Sequence, residues 1–332
     1  MSNSIFKNKK ILVAGGTGMV GQQLIPKLIK EGGEVYVVSM DDKKLVPKKV
    51  KKFFKLNMID VKNCLKATKG MDIVFNLLGV TGSPVINNTK PGSFMMSNLY
   101  CAINLLYAAE KNKVKRYLYT STYGVYGKSS VMKENTVWKT FPSEHDKYAG
   151  WAKRIGELQI EAYRKEFNFK SLHIVRPANI YGPYVNFNPK NSMVVASLIR
   201  RIIGGENPLR VWGDGSNVRD FIHSEDVAEA LIMVMKKNIQ IPINIGSGKG
   251  LSIKDLIFNI LKCKNIKIKP KLVFDKSKAS GDKKRILNTK LAQKNGIKPK
   301  KNIKDGLEET VEWYLKNLTN EKNRFNYFKK ND

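Results

Sequence analysis

Cysteine, histidine and acidic side chains are all scarce in this chain. Its three cysteines, Cys64, Cys101 and Cys263, lie far apart and form no CxxC pair. That spacing offers neither a disulfide framework nor a zinc site, and it suits a reducing compartment. No metal site is expected. No apolar run approaches membrane-spanning length, and the opening "MSNSIFKNKK" lacks the apolar core of a signal segment. The expectation is a cytoplasmic protein with no membrane partner. Internal repeats and long low-complexity linkers are missing as well.

Acid is outnumbered: 28 Asp plus Glu stand against 60 Lys plus Arg, a formal net charge of +32 over 332 residues. Such a field favours anionic partners such as nucleotides, polyphosphates or nucleic acid. The lysines are nonetheless spread through "KNKK", "PKKVKK", "KPKKNIK" and "FKKND", which reads also as a general lysine-rich bias. The length and the 42% hydrophobic content fit a soluble α/β domain, or two smaller units sharing a cleft.

What is present is an alternation of strands and helices. "KILVAGGTGMVGQQLIPKLIKEGGEVYVVSM" reads as strand, glycine turn, helix, strand, with Leu24, Leu28 and Ile29 at helical spacing. Further apolar runs, "DIVFNLLG", "KRYLYTS" and "SLHIVRP", are separated by helical segments. The pattern predicts a Rossmann-type, doubly wound parallel sheet. Residues 1–176 are expected to form it, with 221–245 returning to it. Residues 177–220 and 246–325, richer in Gly, Pro and Asn, are expected to form a smaller α/β substrate-binding lobe.

In "GGTGMVG", Gly15, Gly18 and Gly21 follow a strand and precede a helix. Glycines so placed allow a tight turn and close approach of backbone N–H groups to a pyrophosphate, which the helix N-terminus stabilises. A dinucleotide is the predicted cofactor. At the end of the second strand, "VVSMDDKK" offers Asp41 and Asp42, which favour NAD through the ribose hydroxyls. Ser39 with Lys43 or Lys44 instead admits a 2′-phosphate. NAD is the preferred reading, with NADP the alternative.

These residues resemble the extended short-chain dehydrogenase/reductase family, the NAD-dependent nucleotide-sugar epimerases and dehydratases. "GGTGMVG" is similar to the family's cofactor turn, implying contacts from Gly15, Thr17, Gly18, Met19 and Val20. The resemblance places Asn57 and Met58 of "KLNMID" at the adenine. It places Leu77, Leu78 and Gly79 of "NLLG", with Asn98 and Pro177, around the nicotinamide half. "GSPVINNTKPGSFMMSNL", "NIYGPYVNFNPKNSMVVASLIRR" and "FDKSKASGDKKRILNTKLAQKNG" resemble segments of the GDP-L-fucose synthase subgroup. A homodimer on a four-helix interface is implied.

The resemblance also implies chemistry. In this family a tyrosinate takes a proton from a sugar hydroxyl while hydride passes to the nicotinamide. A free phenol, with a pKa of about 10, needs a nearby ammonium to do so. Lys153 matches that ammonium and Thr122 the hydroxyl that binds the reacting oxygen. The family writes Tyr-x-x-x-Lys, whereas here Tyr148 precedes Lys153 by five positions and Ala149 holds the strict tyrosine place. A bulge or irregular turn at Ala149–Trp151 would restore alignment, and Tyr148 is then the expected proton acceptor. Dehydratases follow the threonine with an acidic pair, and this chain has Tyr123 and Gly124. Fucose synthase needs a Cys and a His, where Gly124, Asn188 and Met193 stand. Redox or epimerisation at the sugar C4 is the reaction that remains. Tyr123, Asn179, Arg219, Arg285 and Arg200 (or Arg201) are the implied contacts to a GDP- or UDP-linked sugar. His223 is read as structural, and His145 as a second proton-group candidate. The alternatives are a 4,6-dehydratase and a non-catalytic Rossmann protein binding RNA. No RNP-like aromatic motif or basic stripe supports the latter, so nucleic acid is not an expected partner.

Overall fold

The computed structural model describes residues 4–80, 84–129, 131–189, 191–278, 281–318 and 324–328. Seven apolar runs form its main sheet: β1 (Lys10–Ala14), β2 (Glu34–Ser39), β3 (Lys52–Lys55), β4 (Ile73–Asn76), β5 (Arg116–Thr120), β6 (Leu172–Pro177) and β7 (Ile243–Ile245). Every pairing is parallel, in the order β7-β6-β5-β4-β1-β2-β3. The near-continuous apolar character of these strands is explained by burial on both faces. Ile11, Val13 and Phe75 point into one layer, and Leu12, Val74 and Tyr117 into the other. The helices α1 (Met19–Lys30), α2 (Val61–Thr68), α3 (Pro91–Lys111), α4 (Lys147–Glu166), α5 (Val194–Ile203), α6 (Ser224–Lys236), α7 (Ile253–Leu261) and α8 (Ile303–Lys316) follow in chain order. α1 packs with α6, and α3 packs with both α2 and α4.

Strand order reverses between β1 and β4, which opens a crevice at their carboxyl ends, where doubly wound sheets bind ligands. Beside it stands the smaller lobe. Its sheet is centred on Val218–His223, which pairs with Gly250–Ser252, Lys284–Leu287 and Asn179–Tyr181. A separate parallel pair joins Leu209–Trp212 to Leu272–Asp275. Tyr181, Phe187, Leu198, Leu209, Phe221 and Leu256 build this lobe's own core.

The lobes interleave more than the predicted boundaries imply. Val131 and Met132, expected in the dinucleotide domain, pair with Ile286 and Leu287 of the smaller sheet. The return to the main domain begins with α6 at Ser224, because Phe221–His223 are still paired with Asn179–Tyr181. Among the described residues no helix is long and apolar enough to cross a membrane.

Candidate active site

The glycine turn joins β1 to α1 at the crevice. Gly15 has φ +81°, and a Cβ there would stand 3.2 Å from the Leu77 carbonyl, so only glycine lets the turn lie against the end of β4. Gly18 caps α1 without any side-chain acceptor. The first-turn N–H groups and the positive end of the helix are left for an anion. The bare turn, the free helix start and the neighbouring acid fit a dinucleotide pyrophosphate and ribose.

That acid is Asp41. Thr17 Oγ1 lies 2.7 Å from Asp41 Oδ2 and 2.7 Å from Ser39 Oγ. Its other oxygen, Oδ1, accepts the Phe325 N–H at 2.7 Å. Phe325 belongs to a C-terminal segment that sequence reasoning assigned to the smaller lobe. The segment runs on to Phe328, whose carbonyl accepts from Lys90 Nζ at 2.8 Å and whose ring lies 6.2 Å from that of Phe94. Arg324 donates to the Tyr184 carbonyl at 2.6 Å. The segment thus ties the Asp41 edge to the smaller lobe and to α3. Asn57 lies beyond β3, where its Oδ1 accepts from Ile59 N at 3.1 Å, and Met58 is buried behind it.

At the other end of the crevice Lys153 is buried on α4. Its Nζ donates to the Leu78 and Thr120 carbonyls, each at 2.9 Å, and lies 4.9 Å from the centre of the Tyr119 ring. A Cβ on Gly79 would stand 3.6 Å from both Lys153 Nζ and Asn98 Oδ1. Lys153, Leu78, Gly79 and Asn98 therefore meet, with Pro177 at the end of β6. Burial pushes the Lys153 ammonium down to about 8, with Cys101 and Glu157 opposing.

One helical turn further on, Glu157 holds α4 to the sheet. It pairs with Arg176 through 3.0 Å and 2.6 Å contacts and accepts from Ser121 Oγ. Arg176 also donates to the Tyr126 hydroxyl at 3.0 Å. The near-total burial of this pair makes the position of α4 relative to β5 and β6 rigid.

The bulge expected near Tyr148 is not there. α4 is α-helical without interruption from Lys147 to Glu166, and the irregular turn comes earlier, as a 3₁₀ turn at Glu144–Asp146. The physical reason is close backbone packing: a Cβ on Gly150 would lie 2.4 Å from the Gly124 carbonyl. The helix start is seated directly on the turn after β5, leaving no slack for an inserted residue. Five regular steps leave Tyr148 about 140° around the helix from Lys153. The geometric case for Tyr148 as proton acceptor falls with the bulge.

Thr122 accepts the Gly124 N–H at 3.1 Å at the mouth of β5. Beside it, the Tyr123 hydroxyl donates to Asn179 Oδ1 at 2.8 Å, and Asn179 Nδ2 donates to the Asp220 carbonyl at 2.9 Å. The Arg285 guanidinium stacks 4.6 Å from the centre of the Tyr123 ring and forms an ion pair with Asp146. Expected at a diphosphate, Arg285 is instead 4% exposed at its side chain and turned inward, because the Tyr123 ring and the Asp146 carboxylate hold it. Arg219 donates to the Asp282 carbonyl at 2.7 Å. Arg200 is half-buried in the last turn of α5, while Arg201 pairs with Glu206. His223 caps α6 by accepting from Glu225 N at 3.3 Å. Asp146, at the N-cap of α4, was not singled out in the sequence, although an aspartate directly before a helix is a usual capping signal. Among the described residues no group of three or more His, Cys, Asp or Glu is arranged to hold a metal ion.

Comparison with known proteins agrees with this geometry. Residues 11–246 match the model of the NAD dependent epimerase/dehydratase family. The chain is 29% identical to GDP-L-fucose synthase 1 of Arabidopsis thaliana, covering 95% of each chain. It is 27% identical to GDP-mannose 3,5-epimerase 1 of Oryza sativa subsp. japonica, covering 94% of this chain and 83% of that one. The structure of UDP-glucose 4-epimerase from Thermotoga maritima with UDP-glucose superimposes with a TM-score of 0.80 at 28% identity, over 93% of this chain and 99% of the other. The chain belongs to the NAD-dependent epimerase/dehydratase family, and NAD(P) is its cofactor.

Proposed function

We propose that the protein is an NAD(P)-dependent oxidoreductase or epimerase acting at C4 of a nucleotide-activated sugar. The observation that carries this reading is the meeting of Lys153 with the Leu78–Gly79 loop and Thr120, next to Thr122. The bound cofactor supplies a hydride acceptor and donor. Lys153 binds the nicotinamide-side ribose and lends positive charge to the pocket. Thr122 hydrogen-bonds the C4 oxygen. Tyr123, Asn179 and Arg219 line the approach from the smaller lobe and position the sugar and its diphosphate. The two relatives matched by sequence are named for GDP-linked sugars and the solved structure for a UDP-linked one; the sequence relatives favour a GDP-sugar.

Dehydration is disfavoured by more than the missing acids. A side chain at Gly124 would start 3.2 Å from Thr122 Cγ2 and 3.4 Å from Asp146 Cγ, which leaves little room for a carboxylate there. A homodimer is supported by apolar residues left exposed on adjacent helices: Met96, Tyr100 and Tyr107 on α3, Ile155 and Leu158 on α4. Their helical spacing makes one continuous face.

Incubation of the protein and NAD(H) or NADP(H) with GDP- and UDP-sugars tests the reading, with cofactor absorbance and mass spectrometry as readouts. Oxidation, reduction or C4 inversion without loss of water is expected. Salt-sensitive RNA binding with no nucleotide-sugar binding would replace it with the RNA reading.

A further inference from the structure

We propose that Asp146 is the proton acceptor at the substrate C4 hydroxyl, in the place the family gives to tyrosine. This rests on the C4 reading above and names the residue that reading lacks.

A long side chain on a helix leans back toward the N-terminus, over the preceding turn. A tyrosine at position 149 would therefore extend over residues 145 and 146. Position 149 is alanine, and that space is open to whatever the preceding turn carries. Asp146 stands at the N-cap of α4, within the stretch that such a ring would cover. The space probed from Gly124 shows which way it faces: a Cβ there would lie 3.4 Å from Asp146 Cβ and Cγ and 3.2 Å from Thr122 Cγ2. Thr122 and Asp146 flank one bare glycine. The Asp146 side chain is 29% exposed, and buried Arg285 anchors it. The carboxylate is held in place and remains part-exposed.

The other candidates point elsewhere. His145 turns to the smaller lobe, where a Cβ on Gly281 would stand 3.4 Å from its Cδ2 and 3.3 Å from Arg219 Nη2. The Tyr123 hydroxyl is committed to Asn179. Burial, and secondarily the charge of Asp146, hold the Tyr123 phenol above its ordinary range.

In the oxidative step the C4 hydrogen leaves as hydride to the oxidised cofactor. The C4 hydroxyl proton passes to Asp146, and the carbon–oxygen double bond forms. In the return step hydride comes back to C4 and Asp146 returns its proton to the oxygen. Electrons balance within the cofactor couple.

The test is Asp146→Asn in the full chain, assayed with NAD and a GDP- or UDP-sugar that the wild type converts. Turnover is expected to fall about 10²- to 10⁴-fold, with NAD affinity by calorimetry unchanged. The charged and titratable groups facing Asp146 are Arg285, Arg219 and Tyr123, with His145 and Lys147 next to it in the chain. Removing one partner of a buried pair threatens folding, so Asp146→Asn/Arg285→Gln serves as the second variant. Adding Ala149→Tyr to Asp146→Asn is expected to restore part of the lost turnover. Undiminished turnover in either Asp146 variant overturns the proposal, as does the absence of any recovery when Ala149→Tyr is added. A wild type that converts no nucleotide sugar overturns the C4 reading itself and this inference with it.

Discussion

Thr17 Oγ1 lies 2.7 Å from Asp41 Oδ2, joining the glycine turn to the acid at the end of the second strand. The contact fixes a carboxylate where the adenosine ribose of a dinucleotide lies. Asp41→Ala is expected to weaken NAD binding about tenfold, the scale of one charge-assisted hydrogen bond, and to affect NADP less. Titration calorimetry with both cofactors checks this. Equal losses for the two would mean that Asp41 does not discriminate the 2′ position.

The remaining oxygen of Asp41 is taken by the Phe325 N–H. A chain ending at Leu318 frees it, so NAD affinity is expected to rise about threefold to tenfold, the worth of one hydrogen bond. Weaker binding after truncation would assign the segment a clasping role instead.

Lys153 sets a pH dependence. Its folded value of about 8 lies below the ordinary value of 10.5 for a lysine ammonium, so between these the unfolded chain binds the extra proton. Stability from this group is therefore fully present above the unfolded value and is lost as pH falls through about 8. Between about pH 7 and about pH 9.5 the wild type should gain on the order of 2 kcal/mol relative to Lys153→Met. Urea unfolding of both proteins across that range measures the difference, and parallel curves would contradict a buried ammonium.

Glu157→Gln removes the negative charge facing buried Arg176 and one of the two oxygens that its guanidinium uses. A loss of about 3–5 kcal/mol is expected, read as a lower denaturant midpoint with the same slope. A change below about 1 kcal/mol, the scale of an exposed pair, would show that α4 is held by other contacts.

The glycine turn, the strand alternation and the Lys153 anchor were legible because each rests on local spacing. The register of the helix start was not. Whether Tyr148 or Ala149 shares a face with Lys153 depends on whether α4 runs unbroken through Ala149–Trp151, and the close packing of Gly150 on the Gly124 carbonyl leaves no room for a bulge there. No local pattern encodes it. The pairing of Asp146 with Arg285 spans 139 residues, and that of Asp41 with Phe325 spans 284. Both depend on how the smaller lobe and the chain end return to the crevice. The placing of Val131–Met132 in the smaller sheet was hidden for the same reason, since two residues carry no periodicity of their own.

The most direct measurement follows one nucleotide sugar to product by mass spectrometry and proton NMR, with purified protein, cofactor and a GDP-sugar such as GDP-mannose. The account predicts a product inverted or oxidised at C4, or a reduced one when a 4-keto sugar is supplied, with no water lost. Formation of a 4-keto-6-deoxy sugar, or no change with any GDP- or UDP-sugar under conditions where the cofactor is bound, would contradict it.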